Sequence, residues 1–86
     1  MKNRELIEEK LFDDYLDKDV TVILKGCIII TQFIIHNAKI LLNDNTLMIT
    51  DRKKEEFIID LSFVTNTIVD NAITFELEEQ KVTLDY

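Results

Sequence analysis

At Asp19 the spacing of apolar residues switches from the period of a helix to the period of a strand, and the rest of the fold follows from that switch. Before it, Ile7, Leu11, Phe12, Tyr15 and Leu16 recur on one helical face. After it, apolar and polar side chains alternate through residues 20–86, in a chain with no proline and a single glycine, Gly26. Nothing beyond residue 19 has the length and periodicity of a crossover helix, which excludes a parallel α/β sheet. The expectation is mainly β with one N-terminal α-helix: a helix over about 4–17 leading into a small, strongly bent antiparallel sheet or barrel over about 20–86.

The chain has 86 residues and no linker, repeat or low-complexity tract, so residues 1–86 read as a single domain. A core of this size buries only about two-thirds of the unfolded surface. With 47% hydrophobic residues, part of the apolar surface is expected to meet another copy, making a homo-oligomer. Ten basic against seventeen acidic residues give a net charge of -7, which repels phosphate backbones and anionic membranes. One cysteine forms no internal disulfide, and a reducing, cytoplasmic setting fits. The longest nearly apolar run, Cys27 to Ile35, falls far short of the roughly 20 residues of a membrane span. Lys2 and Arg4 are followed by Glu5, Glu8 and Glu9 where a signal peptide has an apolar core, so neither span nor leader is expected.

Along the chain, Asn3 is placed to cap the helix and Glu5 to complement its dipole, whereas Asp13, Asp14 and Asp17 crowd its C-terminal end with the wrong sign. Packing of the apolar face must therefore hold it. Val20, Val22 and Leu24 begin the first strand. Gly26 is the expected turn or bulge, free to take positive φ. From Cys27 to Ile35 both parities are apolar, which predicts a strand buried on both faces. His36 and Asn37 interrupt it, Asn43, Asp44 and Asn45 make a tight turn, and residues 51–56 (DRKKEE) form a solvated connection. Strands then follow around Phe57, Phe63 to Val69, Ile73 to Leu77 and Val82 to Tyr86, with turns at Asp70–Asn71 and Glu79–Gln80. The total is six or seven strands.

Little in the sequence carries chemistry. Cys27 and His36 lie an odd number of residues apart on one expected strand, hence on opposite faces, and Cys27 reads as a small buried hydrophobe. One His and one Cys do not make a zinc site. Asn43 to Asn45 lack the glycine and distal glutamate of a calcium loop, and a lone glycine builds no phosphate loop. Phe33, Phe57, Phe63 and Phe75 fall on apolar parities and read as core. No enzyme activity, metal or small-molecule cofactor is expected. The densest remaining feature is the acidic helix; Glu9, Asp13, Asp14 and Asp17 are the candidate surface for a protein partner. His36, Asn37, Arg52, Lys53 and Lys54 are the candidates for binding RNA, although Asp51, Glu55 and Glu56 neutralise the basic triplet.

A polar helix entering Val20-x-Val22-x-Leu24-x-Gly26, then Gln32-Phe33, Ile40-Leu41-Leu42-Asn43 and the stretch 56–69 (EFIIDLSFVTNTIV), resembles the Sm-like family, and the bacterial Hfq type in particular, over about residues 6–69. The resemblance implies a bent barrel that joins edge to edge into rings and threads RNA past the ring faces. At the positions implied to grip RNA, Ile59, Asp60 and Leu61 replace a Tyr-Lys-His run. Thr31 replaces the glycine that bends the second strand, and His36-Asn37 stands near the usual aspartate or asparagine. These departures favour a non-enzymatic, acidic, oligomeric interaction protein that binds or inhibits a protein partner; the alternative is an Sm-like ring binding RNA or a nucleotide.

Overall fold

The structure is a computed structural model that describes residues 4–53 and 55–86. The expected cap Asn3 and the candidate Lys54 lie outside the described residues. Helix α1, Arg4–Lys10, runs into a π-helical turn, Leu11–Tyr15, closed by the Leu16 amide on the Leu11 carbonyl at 3.0 Å. The reason is legible in the spacing. Ile7, Leu11 and Tyr15, all fully buried, are four apart, and in a pure α-helix each such step drifts about 40° around the axis. One wider turn rotates Tyr15 back onto the core, whereas Phe12, expected on the same face, is left exposed.

Eight antiparallel strands follow: β1 Val20–Lys25, β2 Ile30–Ile35, β3 Lys39–Leu42, β4 Thr46–Thr50, β5 Glu56–Asp60, β6 Asn66–Val69, β7 Ile73–Glu76 and β8 Lys81–Asp85, with a 3₁₀ turn at Leu61–Phe63. They form two sheets, of order β2-β1-β8-β7-β6 and β3-β4-β5, and the described strands do not close into a barrel. The curl instead comes from the continuous stretch β2–β3, whose first half pairs with β1 and whose second half pairs with β4. The bend is at His36–Asn37, where Asn37 takes φ 51°, a conformation that asparagine tolerates better than most residues. Thr31, the position at which the family resemblance implies the bend, lies within β2 opposite Leu24.

The core lies between the sheets and under the helix. Val20, Val22, Ile35, Leu47, Ile49, Ile59, Ile73, Phe75, Val82 and Leu84 are inward partners in their registers, and Tyr15 donates its hydroxyl to the Leu84 carbonyl at 2.6 Å. Burial pushes the Tyr15 phenol well above its ordinary pKa, so it remains a donor throughout the working pH range.

Four expectations are corrected here. The run from Cys27 to Ile35 is not buried on both faces: Ile28 is 94% exposed, Ile30 and Ile34 face outward, and only Phe33 and Ile35 turn inward. Cys27, in the turn between β1 and β2, is exposed because it precedes the strand that was to bury it. Gly26 bonds the Ile29 carbonyl across that turn but no glycine has positive φ; Asp17 (63°) and Asn37 do. Phe63 is 68% exposed, because the 3₁₀ turn buries Leu61 in its place. Among the described residues no helix is long and apolar enough to cross a membrane.

Candidate functional site

The helix acids divide between two places. Glu9, Asp13 and Asp14 line a groove of about 290 Å³ together with Leu6, Lys10, Val69 and Asp70. The groove forms where the helix crosses the β6–β7 turn, whose reversal is set by the Asp70 amide on the Ala72 carbonyl at 2.9 Å. Lys10, the one cation among its lining residues, is drawn inward: it pairs with Asp14 at 3.2 Å and lies over the rings of Tyr15 and Tyr86 at 5.9 and 5.4 Å. Glu9, Asp13 and Asp70 therefore set the sign of the groove over an apolar floor of Leu6 and Val69. Asp70 was not foreseen, since it is far from the helix in sequence and only the β6–β7 hairpin brings it there.

Asp17 does not belong to this groove. It sits at positive φ past the helix end, ion-paired with Lys39, where the chain is stitched to the β2–β3 bend: its amide donates to the Ala38 carbonyl at 2.8 Å, and the Ala38 amide donates to Lys18 at 2.9 Å. A side chain grouped with the docking acids by the density of acids around the helix is thus held at the corner by Lys39.

The RNA candidates converge. His36 and Asn37 from the bend, and Arg52 and Lys53 from the β4–β5 connection, line one groove of about 270 Å³ with Ile34, Asp51 and Glu55. The connection is ordered by Asp51, whose carboxylate accepts from the amides of Lys53 and Glu55, each at 2.9 Å. At the other wall, the Asp19 carboxylate accepts from the Asn37 amide at 3.2 Å and faces His36 Nδ1 at 3.3 Å. Two carboxylates thus stand among the groove's cations, and His36 has a carboxylate partner of its own.

These contacts have a pH signature. The Asn37 amide first, and the His36 side chain second, hold the Asp19 carboxyl below its ordinary range. Ser62 does the same for Asp60, and Asn66 and Lys81 for Glu76. For a depressed carboxyl the folded state is favoured above the unfolded pKa, and that contribution disappears as pH falls through the folded pKa. Carbonyl NMR titration is expected to show these three acids titrating below the ordinary carboxylate range; Asn66→Ala should move Glu76 upward and leave Asp19 unmoved.

A cluster of exposed apolar side chains lies mostly outside both grooves, with Ile34 alone reaching the second. Ile28, Ile29, Ile30 and Ile34 crowd the β1–β2 turn and the outer face of β2, at the edge of the five-stranded sheet. On the outer face of the other sheet, Leu41, Met48 and Ile58 stand in one cross-strand row, with Leu41 and Ile58 exposed. Comparison of the chain with protein-family models, with curated proteins and with solved structures returns no match.

Proposed function

We propose that this chain is a non-enzymatic interaction protein that works as an oligomer and binds, or inhibits, a protein partner carrying a basic surface. The observation that carries this reading is the groove between the helix and the β6–β7 turn, where Glu9, Asp13 and Asp70 surround exposed Leu6. An apolar patch inside a ring of one charge sign supplies contact area and selects the partner's charge. The uncovered isoleucines on β2 support the oligomer, because large apolar patches on a small protein mark interaction surfaces.

The test uses a partner captured by crosslinking and then purified. Replacing Glu9, Asp13 and Asp70 with lysine should weaken its binding about tenfold or more at low salt and flatten the salt dependence. Binding that is unchanged in the triple variant overturns this reading.

A second reading, an Sm-like protein that binds RNA or a nucleotide, is favoured by one specific observation: His36, Asn37, Arg52 and Lys53, distant in sequence, line a single groove. The bent β2–β3 stretch after an N-terminal helix supports the Sm-like part of it. A chain with no Trp and two Tyr absorbs so weakly at 280 nm that co-purified RNA would dominate the spectrum. Retardation of A-rich or U-rich oligoribonucleotides that His36→Ala with Arg52→Ala abolishes would establish this second reading and displace the first.

A further inference from the structure

The edge strand β2 leaves a set of backbone groups unpaired in a definite order. Gly26 donates to the Ile29 carbonyl at 2.9 Å, which makes these two a hydrogen-bonded pair of the β1–β2 hairpin. Such pairs recur at every second residue of an antiparallel ladder. In the observed register, Leu24 with Thr31, Val22 with Phe33 and Val20 with Ile35 are therefore the pairs bonded through the backbone. Ile30, Gln32 and Ile34 turn their N–H and C=O groups the other way, to an edge that no other described strand covers. Their side chains lie on the outer face, with Ile30 65% and Ile34 51% exposed.

Edge strands of soluble proteins are ordinarily defended by lysine, proline, a bulge or a covering loop. Here residues 27–35 carry no charge at all, on a chain whose net charge is -7, and the chain has no proline. The edge is thus the place where two strongly acidic molecules meet without opposing like charges.

We propose that β2 pairs antiparallel with β2 of a second copy, about a two-fold axis through Gln32, joining the two five-stranded sheets into one. This rests on the reading that the chain works as an oligomer and names the surface that makes it one. Two observations select a second copy as the occupant, and a third permits it. The edge is self-complementary: only a register centred on Gln32 engages all three outward-facing residues, forming roughly six ladder hydrogen bonds. The same register sets Ile30 opposite the partner's Ile34, and Ile34 opposite the partner's Ile30, which covers the two most prominent apolar side chains of the strand. The charges at its two ends are mixed. Arg52 and Lys53 stand with Asp51 and Glu55 at the C-terminal end of β2, and Lys25 and Lys81 with Glu76, Glu78 and Glu79 at the N-terminal end. An antiparallel pair therefore brings no block of like charge face to face. Such an interface is isologous, so it closes at two copies and does not propagate as a fibre.

Light scattering across a concentration series, with far-UV circular dichroism as the check on folding, tests this. The wild-type chain should have the mass of two copies, or of a larger even number. Gln32→Lys places like charges directly opposite each other on the axis, and Gln32→Pro deletes an outward N–H that β1 does not use. Each should raise the dissociation constant at least about 30-fold, with the circular dichroism unchanged. In a Cys27→Ser background, Gln32→Cys should form a disulfide dimer under mild oxidation, since residues facing each other in such a pair lie about 5.5 Å apart at Cα, within disulfide reach. A strict monomer overturns both this proposal and the oligomeric reading. An oligomer that survives Gln32→Lys, or has an odd number of copies, or gives no disulfide through Gln32→Cys, overturns this proposal alone.

Discussion

Tyr15→Ala is expected to leave little folded protein at room temperature, while Tyr15→Phe remains folded but measurably weaker. The ring is fully buried at the end of the π-helical turn, in edge-to-face contact with Tyr86 at 4.8 Å, and its hydroxyl donates to the Leu84 carbonyl of the central strand β8. Truncation of a buried aromatic to alanine costs about 3–5 kcal/mol. A single-core domain of this size holds on the order of 5 kcal/mol in total, so that loss removes most of its stability. Removing only the hydroxyl leaves the packing and deletes one hydrogen bond to the Leu84 carbonyl, for about 1 kcal/mol. Urea unfolding of the two variants separates these contributions. An alanine variant as stable as wild type would mean that the helix does not rest on this ring.

A second contrast tests which phenylalanines make the core. Phe75 is fully buried on β7, paired across to Thr67 and Val82, and Phe75→Ala should cost about 3–5 kcal/mol. Phe63→Ala removes a ring that is 68% exposed and should change stability by no more than about 0.5 kcal/mol. Both residues sit on apolar parities in the sequence, and only the 3₁₀ turn distinguishes them. Equal losses in the two variants, measured by urea titration, would put Phe63 back in the core.

The contrast shows where reading the sequence succeeded and where it ran out. Alternation placed the strands well from β3 onward, because one face of each is buried and the other wetted, as with Val82 and Leu84 against Lys81 and Thr83. The turns at Asn43–Asn45 and Asp70–Asn71 were legible from residues that favour reversals. The β1–β2 region misled for a physical reason. An apolar run signals burial, but it does not distinguish burial within the fold from apolar surface left for another molecule, so Ile28, Ile30 and Ile34 read as core. The π-helical turn was hidden because a spacing of four residues suits either helix type.

The two candidate surfaces were legible in part. The density of acids along the helix grouped Glu9, Asp13 and Asp14, but it also recruited Asp17, whose partner Lys39 is set by the corner and by nothing local. The convergence of His36 with Arg52 depends on β4 returning along β3, a long-range consequence that composition does not reveal.

The order of strands carries a consequence for synthesis. In the five-stranded sheet β8 lies between β1 and β7, so Val22 waits for Leu84, and Tyr15 for a carbonyl 69 positions downstream. As the nascent polypeptide leaves the ribosome, β3, β4 and β5 can assemble from neighbouring hairpins, while the helix and the isoleucine-rich β1–β2 hairpin remain without their main support. The greasiest segment of the molecule is thus the one held longest unprotected, and chaperone demand and ribosome-bound aggregation fall on that interval.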